Sequence, residues 1–126
     1  MTLNGLALAY IGDAYFELKI REHLIASGMT KVNDLHHQAI RYTSAMGQAQ
    51  MMTWLLEQGL TDTEMMYYKR GRNAGSTHKP KNADLATYHH ATGFEALFGY
   101  LYLENEHQRI DQIITEGIAY IEGFSK

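Results

Sequence analysis

Residues 6–16 read LALAYIGDAYF, and within them Asp13 is the only charged residue from Met1 to Phe16. Apolar side chains recur at Leu3, Leu6, Ala7, Tyr10, Ile11, Ala14, Leu18 and Ile25, close to the 3.6-residue period of an α-helix. The spacing predicts a helix from Leu3 to about Ala26, with Ser27-Gly28 as its C-terminal stop. Asn33 or Asp34 can cap a short helix through Tyr42, and Thr43 or Ser44 can open another running to Glu57. Thr61 with Glu64 makes a capping box for a helix reaching about Arg70. Asp84 to Glu104 reads as a long apolar helix and Arg109 to Glu122 as a final amphipathic one. No alternating strand pattern of useful length interrupts them. The expectation is one all-α domain of about six helices over residues 1–126.

Composition narrows the function classes. At 126 residues, 45% hydrophobic and 20% charged, the chain is neither disordered nor fibrous. The absence of cysteine excludes a disulfide framework and a zinc ribbon, and fits a reducing cytoplasm. No apolar run approaches the roughly 20 residues of a membrane helix, and the N-terminus lacks the basic start of a signal peptide, so no membrane partner is expected. A net charge of −3 taken alone argues against nucleic acid. Its distribution argues otherwise. No acid lies between Glu64 and Asp84, whereas Lys69, Arg70, Arg72, Lys79 and Lys81 all do, and the rest of the chain carries a balance of −8. The segment YKRGRNAGSTHKPKN, residues 68–82, mixes those cations with Gly71, Gly75 and the only proline, Pro80. It reads as a helix end running into a loop, either a solvated surface or a phosphate-contacting element.

Asp13 has a counterpart in HHATGFEALFGYLYL, residues 89–103, where Glu95 is the only formal charge between Asp84 and Glu104. Each acid is flanked by small residues, and both are expected to be buried in apolar helices. Glycine inside a helix costs about 1 kcal/mol relative to alanine. Gly12, Gly93 and Gly99 therefore serve either close helix packing or room for a metal ion with its waters and a phosphate. A carboxylate among apolar neighbours must be neutral, paired or bound to a cation. Glu17 follows Asp13 by one turn and Arg21 follows Glu17 by another, so a structural ion pair is one solution. Two acids meeting from separate helices around Mg²⁺ is the other.

Competing chemistries fail on spacing. His36-His37 and His89-His90 are adjacent pairs, about 100° apart on a helix, and no histidine pair stands at i,i+4. Glu104 and His107 form a single Glu-x-x-His where a carboxylate di-iron site needs two. Glycine-rich phosphate loops and a defensible Ser/Thr triad are absent. Met51 and Met52 beside Trp54, and Met65 and Met66 beside Tyr67, read as core.

YIGDA at residues 10–14, followed some eighty residues later by FEALFGYLYL at 94–103, resembles the two signature blocks of the ribonuclease III catalytic domain. The intervening KRGRNAGSTHKPKN, with nothing after the domain, resembles the mini-ribonuclease III family, which has the catalytic domain without a double-stranded-RNA-binding domain. The likeness spans about residues 4–122. It implies an all-helical homodimer that cuts double-stranded RNA with Mg²⁺, leaving 5′ phosphates, and bacterial members of the family trim the large-subunit (23S) ribosomal RNA precursor. By position, Asp13 and Glu95 are the implied catalytic and metal-holding acids. Lys69, Arg70, Arg72 and Asn73, with Lys79 and Lys81 farther along the basic segment, are the implied RNA contacts. Full-length ribonuclease III has a glutamate where this chain has Ala9 and an aspartate where it has Thr92; the two acids that remain suit one Mg²⁺, and a second ion would lean on waters and RNA phosphates. Without its own RNA-binding domain, the enzyme should bind weakly or need a ribosomal protein at its natural site. The alternatives are a non-catalytic, ribosome-associated RNA-binding protein of the same fold, and a helical interaction domain with a merely solvated basic loop.

Overall fold

The computed structural model describes residues 3–74 and 84–123, and these form six helices with no strand among them. They are α1 (Gly5–Ala26), α2 (Val32–Thr43), α3 (Ala45–Gln58), α4 (Asp62–Ala74), α5 (Leu85–Leu103) and α6 (His107–Gly123). The all-α expectation holds element by element, and most ends are set by the expected residues. Ser44 accepts from the Gly47 amide at 3.1 Å to open α3, and Asp84 accepts from the Thr87 amide at 2.7 Å to open α5. Gly28 takes φ +100° after α1, a conformation that favours glycine. The capping box of α4 closes both ways: the Glu64 amide donates to Thr61 Oγ1 at 3.1 Å, and the Thr61 amide donates to Glu64 Oε1 at 2.9 Å.

Helix starts shift by up to two residues, α1 opening at Gly5 and α6 at His107, and two further ends differ in what sets them. Neither Asn33 nor Asp34 caps α2; the helix begins at Val32, with Lys31 at the N-cap and no side-chain bond there. α4 does not stop near Arg70 but continues to Ala74. Gly71 does not end it because that glycine is buried against α5: a Cβ there would overlap the Ala96 Cβ and stand 2.8 Å from the Thr92 carbonyl oxygen.

α5 is the central helix, packed against α1, α3, α4 and α6. Its Phe94 and Phe98 meet the fully buried Phe16 of α1 edge-on, at 5.0 and 5.3 Å between ring centroids. Met51, Met52 and Leu55 from α3 and Ile110, Ile113 and Ile118 from α6 complete the core around them. Truncating Phe16 to alanine would cost roughly 3–5 kcal/mol. Met51, Met52 and Trp54 are core as expected, but Met66 is exposed. α4 turns Glu64, Tyr68 and Gly71 inward, and Met66 lies off that stripe. α1 shows apolar side chains on both sides: Phe16, Ile20 and Leu24 face the core, while Leu6, Tyr10, Leu18 and Ile25 are exposed. No described helix is long and apolar enough to cross a membrane.

Candidate active site

The crossing of α1 and α5 is made of backbone. A Cβ on Gly12 would overlap the Glu95 carbonyl oxygen and stand 2.7 Å from the Gly99 amide nitrogen. One on Gly99 would overlap the Leu8 carbonyl oxygen, and one on Gly93 would press into the Tyr68 ring at 2.6 Å. Close packing is therefore what these glycines serve. Its consequence is chemical: Asp13, the residue after Gly12, is brought against the Glu95 carboxyl, near enough to interact through the side chains.

The acids differ in setting. Glu95 is half-buried and Asp13 exposed, which corrects the expectation that both are buried. An apolar helix such as α1 does not reveal which of its sides the core takes, and Asp13 lies on the other. Burial, and then the Asp13 carboxylate beside it, push the Glu95 carboxyl up to about 9. Gln48 of α3, itself only 2% exposed, donates from Nε2 to Glu95 Oε2 at 3.4 Å and acts in the opposite sense. Arg21 pairs with Glu17 at 3.3 Å, and among the described residues no lysine or arginine forms an ion pair with Asp13 or Glu95.

Two facing carboxyls without a protein cation hold a proton between them or take a cation from solution. Hard oxygen donors at an edge open to solvent fit Mg²⁺, which binds through one or two carboxylates and fills its remaining positions with water and phosphate oxygens. No group of three or more acids and histidines placed to hold a metal ion occurs among the described residues. The positions at which full-length ribonuclease III carries further acids are closed here. Ala9 is buried in a small cluster with Leu8 and Ala96, and the buried Thr92 hydroxyl donates to the Tyr88 carbonyl at 3.0 Å.

Arg70, Arg72 and Asn73 with Lys69 lie on the last turns of α4 rather than in a loop. The contacts of Gly71 with Thr92, Gly93 and Ala96 hold that end of α4 within about one turn of Glu95 along α5. Each arginine rests on a tyrosine one turn earlier. Arg70 sits over Tyr67 at 4.9 Å, with Tyr67 stacked on Tyr100 at 4.1 Å, and Arg72 sits over Tyr68 at 5.4 Å. Lys69 and Asn73 are exposed. Lys79 and Lys81 lie outside the described residues.

Gln48 and the tyrosine platforms escaped the sequence reading. Gln48 had a signal, since it stands at helical spacing with Met51, Met52 and Leu55 on the buried stripe of α3. A polar side chain on such a stripe needs a partner, and the partner is Glu95.

Comparison with known proteins identifies the fold and the family. Residues 6–106 match the Ribonuclease III domain family. The chain is 48% identical over 122 residues to Mini-ribonuclease 3 of Streptococcus pneumoniae, covering 96% of this chain and 95% of that one. It is 51% identical over 114 residues to Mini-ribonuclease 3 of Enterococcus faecalis, covering 90% and 86%. A solved protein of Fusobacterium nucleatum superposes with a TM-score of 0.83 at 28% identity, covering 92% of each chain. On this fold and these matches, the chain belongs to the mini-ribonuclease III family and is an endoribonuclease of the ribonuclease III type.

Proposed function

We propose that the protein, as one catalytic domain over residues 1–126, cleaves double-stranded RNA with Mg²⁺ held by Asp13 and Glu95. The observation that carries the reading is the pairing of those two carboxyls at the glycine crossing, where Glu95 keeps a proton unless a cation replaces it. Mg²⁺ bound there lowers the pKa of a coordinated water and stabilises charge on the scissile phosphate. The chain's own residues do the rest. Gln48 holds one Glu95 oxygen, Asp13 faces the solvent side from which RNA arrives, and Arg70 and Arg72 bind phosphates nearby. Strand cleavage leaves a 5′ phosphate and a 3′ hydroxyl.

A homodimer is supported by α1. Leu6 and Tyr10 are 50% and 84% exposed on the side of α1 that carries Asp13, and Leu18, farther along and turned partly away, is 52% exposed. Covering this stripe with a second copy sets two sites on one duplex, which A-form RNA presents through its wide minor groove. The family resemblance points to a cytoplasmic substrate, the precursor of large-subunit (23S) ribosomal RNA, with a ribosomal protein improving capture at the natural site.

The test is incubation of long double-stranded RNA and Mg²⁺ with wild type, Asp13→Asn and Glu95→Gln. Cleavage by wild type and by neither variant supports the assignment. RNA that is shifted but uncleaved by wild type replaces it with the binding-protein reading. Sedimentation of wild type beside Tyr10→Glu tests the dimer, and a wild-type monomer at micromolar concentration overturns it.

A further inference from the structure

Arg72 belongs to a connected set of side chains that crosses three helices. Its guanidinium lies over the ring of Tyr68, which is buried and wedged against Gly93. The Tyr68 hydroxyl is 2.7 Å from His90 Nδ1, the His90 Nε2 is 3.2 Å from Thr53 Oγ1, and Thr53 Oγ1 donates to the Ala49 carbonyl at 3.0 Å. With the Thr53 hydroxyl proton on the Ala49 carbonyl, the direction of the other bonds follows. Thr53 spends its only proton on a helical carbonyl, so it accepts from His90 Nε2–H. A neutral imidazole then offers Nδ1 as the acceptor for the Tyr68 hydroxyl. Burial and the nearby Arg72 both favour that neutral form, holding the His90 pKa below the usual histidine range.

The chain of donors ends on a backbone carbonyl already committed to α3, so it is not a route for protons. It is a strut that ties α4 to α5 and α3. Beside it runs a groove of about 610 Å³, lined by Arg72, Asn73, Gln50, Thr53, Thr87 and His90 among others. Met46, Ala49 and Ala86 make much of the lining apolar. Amide, hydroxyl and imidazole groups complete it, and among the described residues there Arg72 is the one full positive charge, the group a phosphate would meet.

We propose that Tyr68, His90 and Thr53 are positioning residues that hold Arg72 at the edge of this groove, where its guanidinium takes a phosphate of the RNA backbone. The inference rests on the reading of the protein as a double-stranded-RNA nuclease, in which Arg72 already meets a phosphate, and adds the side chains that hold it in place. Arg72 anchored on a fixed ring loses little side-chain freedom on meeting the phosphate. A freely rotating arginine would lose more.

The experiment measures the Kd for a short RNA duplex in Ca²⁺, and kcat and KM in Mg²⁺. The proteins are wild type, Tyr68→Phe, His90→Ala, His90→Asn, Arg72→Ala and the double variant Tyr68→Phe/Arg72→Ala. Thermal melts confirm that each variant folds. Tyr68→Phe and His90→Ala should raise Kd and KM about three- to five-fold with kcat within two-fold of wild type. His90→Asn, whose carboxamide oxygen reaches the place of Nδ1, should recover most of the loss. In the Arg72→Ala background the Tyr68→Phe change should have no further effect, because the strut acts through Arg72. Additive losses in the double variant, or wild-type Kd in both Tyr68→Phe and His90→Ala, overturn the proposal. Unchanged Kd for Arg72→Ala with normal cleavage overturns the subsite but leaves the nuclease reading standing. Absence of cleavage by wild type overturns that reading instead.

Discussion

Gly12 of α1 and Glu95 of α5 touch through backbone, with no space for a side chain between them. That contact links the fold to the chemistry. It brings two helices to the separation at which Asp13 interacts with the Glu95 carboxyl, and it withdraws Glu95 from water. The site is therefore built where the core is tightest, and the acid least able to ionise is the one packed there.

Gly12→Ala separates packing from helix propensity. Alanine in a helix interior is favoured over glycine by about 1 kcal/mol, which alone would raise stability. Here the added methyl overlaps the Glu95 carbonyl oxygen, a backbone atom that cannot swing aside. Overpacking of this kind costs about 1–3 kcal/mol. The expected result is a lower melting temperature together with loss of Mg²⁺-dependent cleavage, since α1 must move away from α5 and carry Asp13 with it. A variant as stable and as active as wild type would show that the crossing does not set the site.

The Glu95 carboxyl gives the metal-free protein a pH signature. Its proton leaves near 4.5 in an ordinary setting and near 9 in the fold. Between those values the folded state holds a proton that the unfolded chain has released, so stability falls as pH rises. The contribution is complete below about 4.5 and gone above about 9. Glu95→Gln removes the slope, because the amide neither ionises nor repels Asp13. In chelator, Glu95→Gln should melt above wild type at pH 8 and close to it at pH 4.5, while remaining inactive. Melting curves that run parallel across that range would reject the coupling. In wild type, added Mg²⁺ should raise the melting temperature most at high pH.

How much of this could be read from sequence depended on the kind of information each residue carries. Helix content, the Thr61–Glu64 capping box and the Ser44 and Asp84 caps are local signals, and the fold uses them as written. Asp13 and Glu95 drew notice as lone charges in apolar runs, but exposure is a property of packing, and α1 is apolar on both sides. α4 runs past its expected end because Gly71 resembles a stop signal until its partner α5 is known. Gln48 and the Tyr67 and Tyr68 platforms depend on contacts between helices, which no local window contains.

The Glu64–Arg109 pair is a stability element distinct from the site. Glu64 is buried, and its carboxylate accepts from Arg109 Nε at 2.8 Å and Nη2 at 3.2 Å while also closing the capping box. Arg109→Ala leaves that carboxylate buried with only the Thr61 amide. Breaking such a pair from one side should destabilise the fold by about 3 kcal/mol. The check is urea unfolding of the variant beside wild type, with cleavage measured at a temperature where both are folded. A drop in midpoint with normal cleavage is expected, and a loss below about 0.5 kcal/mol would place the pair among ordinary surface bridges.

The cations of α4 carry the last expectation. Neutralising RNA phosphates releases counterions, so the logarithm of affinity falls with the logarithm of salt in proportion to the phosphates neutralised. Lys69, Arg70 and Arg72 occupy the helix end held beside Glu95, and both arginines are braced on tyrosine rings. Replacing all three with glutamine should weaken duplex RNA binding and reduce the salt slope by about one for each phosphate left without its cation. Asp13→Asn should leave that slope unchanged, because it removes a metal donor and no phosphate-binding group. Measured by titration across 50–300 mM KCl (a range of roughly this width suffices), an unaltered slope in the triple variant would remove these residues from the RNA interface. A slope reduced by the triple variant and not by Asp13→Asn separates binding on α4 from catalysis at the α1–α5 crossing.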